Sequence, residues 1–184
     1  MKMTHQFQVA RTPDVVWDFF QDVPAVAACM PGAELISVAE DGTCIGKVSV
    51  KLGPLHAVFE GEALINPDSS TRTCVIDGTG VDRKGGSRGQ VKVGYSIAPA
   101  EGGTDVKIEA DVTLSGAAAQ FGRTGLINEM SSRLIGEFAQ CLEGKLEAGT
   151  AEEAAAIKAG EVKGISLFFA SLAAWFKNLF RRHK

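Results

Sequence analysis

The sequence predicts an α+β protein: a curved antiparallel seven-stranded sheet wrapped on one long helix, with a separate amphipathic helix at the C-terminus. Three observations predict it. Residues 34–115 alternate apolar and polar with a period of two and are cut by turn signals. Residues 115–147 carry Ile127, Met130, Leu134, Phe138, Cys141 and Leu142 three or four positions apart, one apolar stripe of a helix. Residues 164–184 carry a second such stripe after an Ala/Glu-rich stretch. The expected organisation is a folded domain over 1–147, a part-helical linker over 148–163 and a tail over 164–184.

The elements follow in order. Residues 3–9 alternate and read as a strand. Thr12, Pro13 and Asp14 are a helix start, with cap, N1 proline and first-turn acid. Val15, Val16, Trp17, Phe19 and Phe20 then make a dense apolar helix. A second short helix over 24–30 stops at Pro31 and Gly32. Strands over 34–40 and 43–52 flank Asp41 and Gly42, a strong hairpin signal. A further strand over 55–65 points Ala57, Phe59, Gly61, Ala63 and Ile65 one way and His56, Glu60 and Glu62 the other. A turn is expected at 66–68, a strand over 71–77, and a long glycine-rich loop over 78–89. Strands over 90–98 and 104–115 complete the meander, joined at 101–103. The helix is read over 115–147, capped by Ser115 and about 45 Å long. Gly122, Gly125 and Gly136 within it imply close packing, a kink, or a first half kept loose as a gate.

Several inward positions are small (Cys44, Gly46, Ala57, Gly61, Ala63, Ala110). Small residues on a curved face leave space that a single helix cannot fill, so an apolar cavity is expected. In an up-and-down meander, alternate connections share an end. The turns at 30–33 and 52–55, the loop at 78–89 and the helix entry at 115–121 therefore cluster. They carry apolar Met30, Leu52, Leu55, Val81 and Phe121, the chemistry of an entrance for a lipophilic ligand. Phe59, Val93, Tyr95, Val112, Met130 and Leu134 are the expected deeper lining.

Composition narrows the function classes. With 19 Lys+Arg against 22 Asp+Glu the net charge is −3, which does not advertise nucleic-acid binding. The distribution is uneven: residues 163–184 hold five basic residues and no acid, leaving a body of −8. Cys29, Cys44, Cys74 and Cys141 have no metal or cluster spacing and read as reduced, buried small hydrophobes. MKMTHQFQVART has no apolar signal region. Both observations point to the cytoplasm. His5, His56 and His183 are scattered, and no HExxH, GxSxG, P-loop or dinucleotide fingerprint is present. No catalytic or metal-binding residues are assigned. Arg83, Lys84 and Arg88 read as a solvated loop, with a phosphate or an acidic partner as the sharper alternative.

The tail places Ile165, Phe168, Phe169, Leu172, Trp175, Phe176 and Leu179 on one helical face, with Lys177, Arg181 and Arg182 near its end. Its uncharged run over 164–176 is 13 residues, about 20 Å as helix, too short for a bilayer core of about 30 Å. It suits a helix lying in the membrane interface. The alternatives are docking on a partner protein or on its own domain.

The stretches PDVVWDFFQDV, VAACMPGAEL, KVSVKLGP, FEGEALI, DGTGVDRKGGSRGQV and GGTDVKIEADVTLSG together resemble the carbon monoxide dehydrogenase G-subunit family, within the helix-grip (START-like, SRPBCC) superfamily. The resemblance covers about four-fifths of the chain. It implies a helix-grip fold with an apolar pocket under the long helix. It also implies an accessory role, without intrinsic cofactor, beside a molybdenum hydroxylase-type carbon monoxide dehydrogenase, placing that enzyme at the membrane and coupling it to quinone. The expected function is thus a non-enzymatic carrier of a respiratory quinone such as menaquinone, peripheral on the cytoplasmic face of the cell membrane. A structural membrane-recruitment adaptor without ligand, and a small hydrolase or cyclase on the same fold, are the alternatives.

Overall fold

Seven antiparallel strands follow one another across a single sheet in the order β1-β7-β6-β5-β4-β3-β2. The computed structural model describes residues 1–52, 55–123, 125–148 and 150–159, by backbone alone at 52, 55, 121–123 and 126. The strands are β1 (Lys2–Val9), β2 (Ala33–Val38), β3 (Thr43–Leu52), β4 (Leu55–Asp68), β5 (Thr73–Asp82), β6 (Ser87–Ala100) and β7 (Gly103–Ser115). Between β1 and β2 come α1 (Pro13–Gln21) and α2 (Val23–Cys29). After β7 come a 3₁₀ segment (Gly116–Arg123), α3 (Leu126–Glu147) and α4 (Ala151–Ala156). The tail residues expected to bind a membrane lie outside the described residues.

Alternation decides which face each strand buries. Register places Phe7, Val106 and Ile97 on one row, then Ile108, Tyr95 and Cys74, then Ala110, Val93, Ile76 and Ile65. These rows form the concave face, and the expected inward residues Cys44, Gly46, Ala57, Phe59, Gly61, Ala63, Ile65 and Ala110 lie on it. The alternate rows, such as Glu62, Thr79 and Gln90, form the outer face.

Three local expectations are corrected. The helix starts at Leu126, not at Ser115, which is the last residue of β7 and pairs with Arg88. Gly116 (φ 72°) and Gly125 (φ 71°) are both left-handed, so α-helix cannot run through either, and residues 116–123 wind as 3₁₀. The helix is therefore about 33 Å long. Residues 78–89 are not a loop: β5 and β6 continue through them to a four-residue turn over 83–86. The turn is held by Asp82 Oδ1, which accepts from Lys84 N and Gly85 N, both at 3.1 Å. The expected turn at 66–68 belongs to β4, where Pro67 pairs with Cys74.

The core fills one end of the concave face. Trp17 and Phe20 of α1 enter it, with Phe20 4.7 Å and Trp17 6.3 Å from Tyr95 between ring centroids. Phe138 of α3 closes on Phe20 (5.7 Å) and Phe7 (6.3 Å). Cys29 and Cys141 form a disulfide between α2 and α3, contrary to the expected reduced thiols, while Cys44 and Cys74 are free and buried. The helices bring the two sulfurs together across 112 residues of chain, a proximity that sequence spacing does not encode. Residues 150–159, expected as linker, pack back on the domain: Ile157 lies against Gly144, Ala159 N donates to Ala28 O (3.0 Å), and Lys145 Nζ donates to Ala154 O (2.7 Å).

Candidate functional site

Burial along α3 is uneven, and that unevenness locates the site. Phe138, Cys141 and Leu142 are buried; Ile127, Met130 and Leu134, on the same helix nearer its start, are only half-buried. The strand opposite repeats the gradient: Tyr95 and Ile97 are buried, Val91 and Val93 half-buried. Six half-buried apolar residues of this half (Phe59, Val91, Val112, Leu114, Met130 and Leu134) stand outside the packed core cluster. One half of the concave face is thus solid, and the half toward the β5–β6 turn is incompletely covered.

Glycines let Phe59 lie across that half. Gly80 and Gly89 pair across β5 and β6 on the concave face, and the Phe59 side chain reaches across both. A Cβ at Gly89 would meet the Phe59 ring at 3.6 Å and Leu114 at 3.5 Å, ordinary contact distances. At Gly61 a Cβ would run into the Thr79 carbonyl, so the strands approach there as only glycine allows. Gly78, Gly80, Gly89 and Leu114 were not among the expected site residues. The readable signal was that Gly78 and Gly80 continue the phase of Cys74 and Ile76.

The expected site residues fall into groups. Phe59 and Val112 lie on the concave face of the half toward the β5–β6 turn, Val93 beside them packs against the core cluster, and Met130 and Leu134 are half-buried on α3. Tyr95 is instead buried in the solid half beside Trp17 and Phe20; burial, next to Cys74, pushes its phenol pKa up. Met30 is the C-cap of α2 and packs against the core. Val81 does not join them: it sits on the outer face of β5 between Glu60 and Arg88, because the segment is strand rather than loop. The side chains of Leu52, Leu55 and Phe121 lie outside the described residues. Their backbone positions do share the end of the β5–β6 turn, where Ala118 N donates to Ser87 Oγ at 3.1 Å and ties the 3₁₀ segment to that turn.

Two polar features accompany this face. His5 Nε2 is 2.9 Å from Ser131 Oγ, bridging β1 to the first half of α3, a pair that no sequence spacing connects. Asp82 is buried, with Oδ2 lacking any hydrogen-bond partner. A groove of about 540 Å³ lies on the opposite, outer face, lined by Glu62, Asp77, Thr79, Gln90, Lys92 and Asp111 among others. It contains the Lys92–Asp77 ion pair (3.4 Å) and lies on the face away from the helix, so it is not the apolar cavity expected under the helix. Among the described residues no group of three His, Cys, Asp or Glu side chains could hold a metal ion, and no helix is long and apolar enough to cross a membrane.

The architecture is found elsewhere. It is similar to a conserved protein from Geobacillus kaustophilus (TM-score 0.68, 13% identity, 78% of this chain and 93% of that one). It is also similar to the Zhui aromatase/cyclase from Streptomyces sp. R1128 (TM-score 0.56, 13% identity, 80% and 96%) and to a protein from Rhodobacter sphaeroides (TM-score 0.57, 15% identity, 81% and 93%). At such identities the likeness concerns the fold, which is the helix-grip arrangement. No curated protein matches the chain in sequence. Residues 6–147 match CoxG, the carbon monoxide dehydrogenase G-subunit family, and the chain belongs to that family.

Proposed function

We propose that this protein is not an enzyme but a carrier that takes up a lipophilic molecule, a respiratory quinone such as menaquinone, in the open half of its concave face. It delivers that molecule to a molybdenum hydroxylase-type carbon monoxide dehydrogenase, or recruits the enzyme, at the cytoplasmic face of the cell membrane. One observation carries the reading: six half-buried apolar side chains around an incompletely covered face, in a fold whose other half is packed solid. Burying an apolar side chain fully is worth about 1.5–3 kcal/mol, so completing the burial of six supplies several kcal/mol to an apolar ligand. The family's description as a dehydrogenase subunit supports the partner, and the stripe over 164–184 supports the membrane.

The polar pair His5–Ser131 is what a cyclase or hydrolase on this fold would need. Ser131 Oγ also lies 2.9 Å from the Asn128 carbonyl, so a back-bond to its own helix competes with the histidine that would have to act as its base, and the pair stands on the Ile108–Tyr95 row of the packed half. The test is quinone transfer between donor and acceptor vesicles. Transfer accelerated by the protein supports the carrier; transfer at the protein-free rate sinks it.

A further inference from the structure

Four large apolar side chains stand exposed along one oblique line across β2, β3, β4 and β5: Ile36 (60% exposed), Ile45 (44%), Leu64 (39%) and Val75 (39%). Ile45, Leu64 and Val75 share the phase of Glu62 and Asp77 and so face outward. Ile36 stands beside Ile45, at the shift in the β2–β3 register. Ile45 is level with Glu62; Leu64 lies two residues further along β4; Val75 is level with Asn66, two further again. With strands about 4.8 Å apart and a rise of about 3.4 Å per residue, the line from Ile36 to Val75 is about 20 Å long. Leu64 and Asp77 also line the outer groove of about 540 Å³. At the far end, Val75 has three exposed carboxylates around it on the same face: Asp77 two residues along β5, Asp68 two beyond Asn66 on β4, and Glu109 level with it across Gly94. A connected apolar line on the surface of a folded domain marks a binding surface.

We propose that the occupant of this line is the chain's own tail, residues 164–184, which docks there as a helix when it is off the membrane. The tail's apolar stripe from Ile165 to Leu179 is about 21 Å long as helix, the length of the line. The chain leaves the described residues at Ala159, whose N–H donates to the Ala28 carbonyl of α2 (3.0 Å), and α2 leads through residues 30–32 into β2, the edge strand that carries Ile36. Four residues, reaching about 14 Å at most, separate that anchor from the tail. A tail entering over β2 brings its basic end, Lys177 to Lys184, to the carboxylates around Val75. This deepens the carrier reading and rests on its membrane-binding tail: off the membrane, the seven large apolar side chains of the stripe need shelter from water. Groove and membrane then compete for one stripe, while the ligand face on the other side of the sheet stays free in both states.

The test uses the full chain. A carbodiimide joins lysine to carboxylate without a spacer. In vesicle-free solution it should link Lys177 or Lys184 to Asp68, Asp77 or Glu109, and mass spectrometry of mixed ¹⁵N-labelled and unlabelled protein should place the link within one chain. The double variant Leu64→Thr, Val75→Thr removes the apolar line without changing charge; both positions are exposed and threonine is a good strand former, so the sheet should survive. It should lose the cross-link. It should also bind anionic phosphatidylglycerol vesicles about five-fold more tightly, because a dock filled about four-fifths of the time weakens binding by that factor. No such cross-link, links only between chains, or an unchanged vesicle affinity in the variant would each overturn the dock while leaving the membrane-bound carrier intact. Vesicle binding by neither protein would overturn the membrane reading and the exchange with it.

Discussion

Removing the Cys29–Cys141 disulfide is the perturbation whose size the structure sets most directly. The bond joins α2 to α3 across 112 residues and is buried with Phe20, Phe138 and Leu142 in the solid half. In the loop-closure account, a cross-link of that span removes about 5 kcal/mol of unfolded-state entropy; measured values are typically about 2–4 kcal/mol. The double variant Cys29→Ala, Cys141→Ala should then lose about 3 kcal/mol. With a urea dependence of about 2 kcal/mol per molar, the unfolding midpoint should fall by about 1.5 M. Circular dichroism reads the transition. A thiol titration of the unfolded, unreduced protein reads the bond itself: two reactive thiols, Cys44 and Cys74, are expected rather than four. Because the bond lies in the packed half, the variant should still bind ligand. Four thiols, or a midpoint shift below about 0.3 M, would refute the reasoning and restore the reduced state that the sequence suggested.

Other outcomes follow from the open half and the tail. Deleting residues 164–184 should abolish flotation with liposomes while leaving the domain folded, and in the full chain binding should favour anionic vesicles and weaken with salt through Lys177, Arg181, Arg182 and Lys184; flotation of the truncated chain to the full extent would count against the tail as anchor. Phe121→Asp or Leu55→Asp should abolish quinone transfer without unfolding the protein, and unimpaired transfer by both would misplace the entrance. Gly89→Ala should cost little in stability, since its Cβ finds ordinary contact with Phe59 and Leu114, whereas Gly61→Ala should destabilise by about 1–3 kcal/mol because it meets backbone, and the reverse order of melting temperatures would contradict that geometry; Gly89→Leu, whose longer side chain must displace Phe59 and Leu114, should block ligand binding at a cost of about 1–3 kcal/mol.

The sheet was legible because period-two alternation is a local signal: Ala57 to Ile65 and Val106 to Leu114 point where their phase says they point. The α3 stripe was legible for the same reason, through Met130, Leu134 and Phe138. Its start was not, because a left-handed glycine such as Gly125 ends a helix only by its backbone angle, and an apolar pattern runs past it unchanged. Residues 78–89 misled in the opposite way: glycine-rich composition reads as loop, yet Gly80 and Gly89 are strand residues over which Phe59 lies on the concave face. That misreading turned Val81 into a rim residue. Contacts between distant segments were beyond local pattern altogether. Neither the Cys29–Cys141 bond nor the His5–Ser131 bridge has a spacing that announces it, and both depend on how α3 lies against β1 and α2.

Native mass spectrometry of the full chain purified from its own membranes tests the central claim most directly. The carrier account predicts one lipophilic molecule per chain with the mass of a quinone or quinol, released when residues around Phe59 and Gly89 are filled by Gly89→Leu. A chain that carries no such molecule, and gains none when mixed with quinone-loaded vesicles, would contradict it.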